Sequence, residues 1–277
     1  MGESSSGVDF ELLALYFLDS KDRQIINKTT GEKQPLNNFT VVNNCQLNKI
    51  SYWGLIETDI NIVYDNINAY NNILILDDNT GHHVLTFTIG VYPDNTTLLT
   101  YLQSVFTPLG YTLSLSHATQ LNIVKNDSTN FTLKSGSITP ALLYMMGFSL
   151  TLLTGANSYS GDLNFNIYYT RYVDICSPTL MRFSVPAQSS RSNTNGSLIK
   201  RINLISASGN LGTLQGTYID NLSRIMPKYK WDNSTQLGQI DIKLFDEWGI
   251  PFDMYSDFTM RFALFKNVNS NDNLGMI

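Results

Sequence analysis

The residues best suited to chemistry in this sequence are three histidines, two cysteines and a carboxylate-rich stretch near the end. Histidine is the usual acid or base near neutrality, so an enzyme reading starts from His82, His83 and His117. His82 and His83 follow Asp77-Asp78-Asn79-Thr80-Gly81, where the simpler reading is a solvated hairpin loop. With Cys45 or Cys176 they form no recognised zinc-ligand spacing, and neither cysteine belongs to a C-x-x-C pair. Both thiols read as reduced and buried. The stretch Gln239 to Met254 carries four carboxylates, Asp241, Asp246, Glu247 and Asp253, beside Trp248, Gly249 and Pro251. Converging on one point, they could hold a metal ion for hydrolysis.

Local pattern argues against that convergence. Ile240, Ile242 and Leu244 alternate with Asp241 and Lys243, as on a strand with one buried face, which leaves Asp241 facing solvent. Asp246-Glu247-Trp248-Gly249 has Asp at the first and Gly at the fourth position of a type I turn. Pro251 then suits only an edge or non-ladder position. Asp246, Trp248, Gly249 and Pro251 are thus expected to form a turn or an interface, and no catalytic, cofactor or metal site is expected.

Other motifs are weak. Gly209 to Gly216 is not a dinucleotide fingerprint and lacks a βαβ setting, and no P-loop or G-x-S-x-G elbow occurs. Arg224, Lys228, Lys230 and Trp231 interleave basic and aromatic residues, a pattern that could touch nucleic acid but is more often a loop or subunit contact. The start, Met1-Gly2-Glu3-Ser4-Ser5-Ser6, fits a loose myristoylation pattern in which Glu3 is a poor residue, so a flexible arm is expected there.

These residues sit on a chain of 277 residues and 31.1 kDa, 43% hydrophobic and 15% charged, long enough for a sizeable core. A net charge of −5 and a pI near 5.1 supply no bulk attraction for nucleic acid or an anionic membrane. The polar start lacks a secretory signal's basic region, and the longest apolar run, Pro140 to Leu153, is too short to span a bilayer.

From Asn38 onward, short β-type segments alternate with Asn, Asp, Gly and Pro, the pattern of an all-β sandwich. Val8 to Leu18 is apolar almost throughout and leans towards strand. Phe39 to Val42, Asn48 to Leu55, Ile60 to Tyr64, Leu163 to Tyr169, Leu198 to Ile205, Gln239 to Phe245 and Phe258 to Phe265 supply further strands. Between Asn71 and Phe148 the character changes. A hairpin joins Ile73–Leu76 to Val84–Ile89. Asp94 or Asn95 caps a helix bearing Leu98, Leu99, Leu102, Val105 and Phe106, which ends at Pro108 and Gly110. Three short strands and a helix over Thr139–Met146 follow.

Several segments, in order, resemble the penton (minor capsid) proteins of virophages and polinton-like viruses. They are Leu18-Asp19-Ser20-Lys21-Asp22-Arg23 (D-S-x-x-R), Asn37-Asn38-Phe39-Thr40, Asn66 to Asn72, Leu98 to Leu102, and Ala141 to Phe148. The last is Ile240 to Pro251, similar to an I-x-I-x-L-x-D-x-x-G-x-P signature. Phe245 and Trp248 replace commoner polar residues, and Ser160-Gly161-Asp162 lacks the arginine of a receptor-binding Arg-Gly-Asp motif.

The resemblance implies an all-β antiparallel jelly-roll sandwich (residues 8–68 and 162–266) with a small inserted α/β domain (69–161) and flexible arms (1–7 and 267–277). It also implies a structural, non-enzymatic capsid protein, without cofactors, made and assembled in the host cytoplasm. Five copies would form the homopentamer at each vertex of the virion and abut a double jelly-roll major capsid protein. The inserted domain would face outward towards a host receptor, and no specific nucleic acid is expected. Two rivals stand beside this expectation. One is a host-attachment or carbohydrate-binding β-module; the other is a metal-dependent hydrolase using Asp246, Glu247 and Asp253.

Overall fold

The computed structural model describes residues 10–42, 50–61, 64–116, 119–181, 197–204, 215–219, 229–235 and 238–267. The chain divides into two compact units. One comprises Met1–Val63, Tyr172–Leu204 and Leu214–Ile277; the other comprises Tyr64–Arg171 and Ile205–Thr213.

The first unit begins with β1 (Phe10–Asp19), the small hairpin of β2 (Ile25–Asn27) and β3 (Glu32–Lys33), then β4 (Asn38–Val42) and β5 (Ile50–Asn61). The second unit holds β6 (Ile73–Asp78), β7 (Gly81–Thr86), α1 (Asn95–Phe106), β8 (Tyr111–Ser116), β9 (Gln120–Lys125), β10 (Phe131–Ser135), α2 (Ala141–Met145), β11 (Leu152–Ala156) and β12 (Ser158–Ser160). The first unit then resumes with β13 (Tyr172–Cys176), the turn of helix α3 (Pro178–Met181), β14 (Leu198–Asn203), β15 (Gln215–Ile219), β16 (Tyr229–Thr235), β17 (Gln239–Asp246) and β18 (Phe258–Asn267).

In the first unit, one sheet runs β1-β18-β5-β15, with β16 also on β5, and the other runs β14-β13-β17-β4. Every pairing in both is antiparallel. Strands from the two chain ends lie side by side in both sheets: β1 beside β18, and β4 beside β17. That exchange of early and late strands is the double Greek key of a jelly roll. The inner faces meet at an edge-on contact between Phe39 of β4 and Phe258 of β18, with centroids 5.6 Å apart. Leu18, Met260 and Phe262 lie buried on one sheet, and Ile240, Ile242 and Leu244 on the other. Alternation explains these positions, because every second side chain of a strand points to the same face.

The Asp19-Ser20-Lys21-Asp22-Arg23 stretch proves to be a clasp on this pairing. Asp19 accepts the Lys21 N–H at 2.8 Å, turning the chain out of β1. Ser20 Oγ donates to Asp257 and accepts the Phe258 N–H at 2.8 Å, while Arg23 Nη1 reaches the same Asp257 oxygen at 2.7 Å. The end of β1 is thereby fastened to the start of β18.

The second unit has two sheets, β11-β10-β6-β7 and β12-β9-β8, all antiparallel. Helix α1 begins at Asp94, whose carboxylate accepts the Thr97 N–H at 2.7 Å, and buries Leu98, Leu102 and Phe106 at i, i+4 and i+8. Pro108 and the left-handed Gly110 end it. A run of ring contacts, Phe106 to Tyr111 to Phe131 to Tyr159, crosses the core at 6.1, 4.9 and 4.8 Å. Among the described residues, no helix is long and apolar enough to cross a membrane.

Three strand expectations need correction. Asn48–Leu55 and Ile60–Tyr64 are not two strands but parts of one, β5. Leu163–Tyr169 is not a strand: its Leu163, Phe165 and Asn166 N–H groups bond to the carbonyls of Gly147, Thr119 and Met145, scattered acceptors in loops and at the end of α2 in place of a neighbouring strand. Asn166 also turns its side chain back to the Tyr168 N–H. Conversely, Tyr172–Cys176 is a central strand with all five residues buried, so it shows no alternation to be read.

Candidate functional site

The hairpin at the end of β17 is built from the bottom by its hydrogen bonds. The Asp246 N–H donates to the Ile250 carbonyl at 2.9 Å, and the Gly249 N–H to the Asp246 carbonyl at 3.1 Å. This encloses a three-residue loop, Glu247-Trp248-Gly249, in which Gly249 takes a φ of +76° that only glycine adopts without strain. The Asp246 carboxylate accepts the Trp248 and Ile250 N–H groups, each at 2.9 Å and each on Oδ1. After Pro251, which is exposed and bridges to Phe245, the Phe252 N–H returns to the Leu244 carbonyl.

The four carboxylates of this stretch take four different environments. Asp246 is 2% exposed, Glu247 is buried at the turn, and Asp253 is exposed and hydrogen-bonded to the Asn37 side chain. Asp241 corrects the expectation of a merely solvent-facing residue. It is half-buried and accepts from Ser177 Oγ at 3.1 Å and the Thr179 N–H at 2.8 Å, tying α3 to the sheet. Trp248 is half-buried, with its backbone held by Asp246. Among the described residues, no three His, Cys, Asp or Glu side chains converge to hold a metal ion.

His82 and His83 sit on the β6–β7 hairpin. His82 contacts Asp77 with its side chain largely in solvent, and His83 Nε2 lies 2.9 Å from Thr80 Oγ1 and 3.6 Å from Asp78. Beneath them is a pair that the sequence did not suggest. Asp78, with no side-chain exposure, binds Lys125 Nζ at 2.7 Å, and Lys125 is 2% exposed. Tyr111 Oη and Thr80 Oγ1 donate to the same carboxylate at 2.7 and 2.6 Å, and Lys125 also meets Asn79. Burial alone would raise the Asp78 carboxyl, but these bonds outweigh it and hold it well below the usual carboxylate range. A sequence separation of 47 between Asp78 and Lys125 hides the pairing from any local motif.

Cys176 is buried in β13, and burial pushes its thiol up to about 12, so it carries little thiolate at neutral pH. Beside it, Arg201 holds the buried Asp174 through two bonds, at 2.7 and 2.9 Å, and stacks on Tyr172. Asn66 gathers the second unit's loops, donating to the carbonyls of Tyr92 and Ile167 and accepting the Tyr92 N–H at 2.8 Å. Cys45, His117, Arg224, Lys228 and residues 1–7 lie outside the described residues, as does 209–214; Lys230 and Trp231 fall within β16.

One feature of the surface does point outward. Among the described residues strand β1 stands at the end of its sheet, and Leu12, Leu15 and Phe17 along it are exposed, Phe17 by 61%. The Arg261 guanidinium lies 4.6 Å over the Phe17 ring and pairs with Glu57 at 3.1 Å.

No protein-family model matches the sequence, and no curated protein matches it. Among solved structures, the chain is similar to the mavirus penton protein in its selenomethionine-labelled crystal form. The identity is 9% and the TM-score 0.44, over 94% of this chain and 100% of that one.

Proposed function

We propose that this chain is a structural capsid protein whose jelly roll associates with copies of itself, five closing an icosahedral vertex against a double jelly-roll major capsid protein. The observation that carries the reading is the edge of the jelly roll. Among the described residues β1 is paired on one side only, by β18, and it bears Leu12, Leu15 and Phe17 in the open. A long apolar edge strand is a template for another chain unless something covers it. In a fivefold ring each subunit offers one patch to a different patch of the next, so such an edge is used without open-ended growth.

Jelly rolls also serve as lectins and as metal-binding cupins, so the fold alone does not choose among functions. The capsid reading draws further support from the ordered resemblance of Asp19–Arg23 and Ile240–Pro251 to penton proteins. The inserted unit, on this reading, faces away from the shell and meets the host receptor. Native mass spectrometry of the purified chain tests the association. Five-subunit species that Phe17→Asp dissociates are expected; a monomer at every concentration, with saturable binding on a glycan array, would favour a carbohydrate-binding module instead.

A further inference from the structure

The register of the β14-β13-β17-β4 sheet sets one buried carboxyl opposite apolar neighbours. Asp246 continues the inward face of Ile240, Ile242 and Leu244, and it stands opposite Val173, which stands opposite Ile202. Both of those neighbours are buried and apolar. Asp174 and Arg201 pair with each other and with Phe245, one position out of phase, so they project from the other face. Lys243 and Asp241 share that outward phase on β17, and Tyr172 shares it on β13. Lys200 shares the inward phase, but two strands and one row away, about 12 Å off at ordinary sheet spacings. Asp253, beyond the return, is exposed. On the opposing sheet the buried inward residues Leu18, Phe258, Met260 and Phe262 are apolar, Thr58 opposite Met260 is polar and uncharged, and Tyr16, Tyr218 and Tyr229 are titratable groups that share the inward register. The adjacent Glu247 carries a charge of the same sign and repels this carboxylate.

We propose that the hairpin presenting Trp248 is a pH-responsive clasp, held most firmly when the Asp246 carboxyl is neutral and loosened as it ionises. Both turn bonds go to Oδ1, so Oδ2 can carry the proton without breaking either. Burial pushes this carboxyl up to about 7, and Glu247 adds to the shift, against the downward pull of the backbone N–H bonds. In an open hairpin an aspartate ionises near ~3.9. The neutral form therefore favours the closed state: the stabilisation is full below that value and is lost as pH rises through about 7. Mild acid tightens this turn, whereas most buried carboxylates make acid destabilising. The clasp is independent of the assembly reading, since its groups all belong to one subunit.

The test is hydrogen exchange at the Trp248 and Ile250 amides of the full chain at pH 6 and pH 8, corrected for intrinsic rates, beside Asp246→Asn. Opening is expected to become about tenfold more favourable at pH 8 in the native chain and to stay level in the variant. Equal behaviour of the two proteins overturns the proposal. Should the variant not fold, carbon-13 titration of the Asp246 carboxyl in the native chain decides: a midpoint near 7 supports the clasp, and one below 5 overturns it.

Discussion

Replacing Lys125 by methionine removes the ammonium bonded to a carboxylate whose side chain has no access to water. The Asp78 side chain is fully buried and that of Lys125 is 2% exposed, so neither charge is screened by solvent. After Lys125→Met, Asp78 keeps the Tyr111 and Thr80 hydroxyls and the Thr80 and Gly81 N–H groups, the last at 3.2 Å. It loses its counter-charge. Breaking one side of a buried pair costs about 3–5 kcal/mol, and the surviving bonds place this case near about 3 kcal/mol. For a unit of this size that lowers the melting temperature by about 12 °C or more. Asp78→Asn is expected to cost about 2 kcal/mol, because Asn79 and Asp127, the latter at 3.7 Å, still face the ammonium. The double variant removes both charges, and with them the desolvation penalty. Its cost is expected to be about 3 kcal/mol, below the sum of the singles. Circular dichroism melts give the magnitude, and hydrogen exchange over β6–β7 and β8–β9 assigns it to this unit. Additive costs, or a Lys125→Met cost under about 1 kcal/mol, would refute the reasoning.

Gly147→Ala is expected to destabilise the second unit by at least about 1–2 kcal/mol in urea titration, since φ there is +88° and a Cβ would lie 2.6 Å from the Leu163 carbonyl oxygen. A neutral result would mean that the loop has room the structure does not give it. Cys176 should resist a thiol reagent at pH 8 in the folded chain and react on unfolding, because its thiol is buried and pushed up to about 12; rapid labelling of the native protein would contradict its burial. Ser20→Ala removes the hydroxyl that joins Asp257 to the Phe258 N–H, and faster exchange is expected at the β1–β18 end, with β4–β17 unchanged.

Local signals in the sequence were enough for elements whose bonds are local. Helix α1 followed from Asp94 and the spacing of Leu98, Leu102 and Phe106, and the β6–β7 hairpin from Asn79, Thr80 and Gly81 between apolar runs. The alternation of β17 was visible because one face is buried and the other half-buried. The same rule failed where it should. Strand β13 is buried on both faces and holds Asp174, so it carries no period of two. Leu163–Tyr169 alternates like a strand, yet Gly147 and Gly161 bring loop carbonyls close enough to take its N–H groups, and packing overrode pattern. The polar contacts of the candidate site were the least legible. The Asp246 turn could be seen in its type I spacing, but not the burial of its carboxyl, which depends on Val173 and Ile202 from distant strands. Asp78 with Lys125, and Ser20 with Asp257, are pairings between remote residues that no local motif announces.

On the proposed capsid role, the apolar edge of β1 has a consequence in an assembled particle. A reconstruction of such particles tests it most directly. Five copies of this chain around each vertex, with β1 and its Leu12, Leu15 and Phe17 covered by a neighbouring subunit, are the expected result. Vertices built from another fold, or this chain present with the β1 edge left in solvent, would contradict the account.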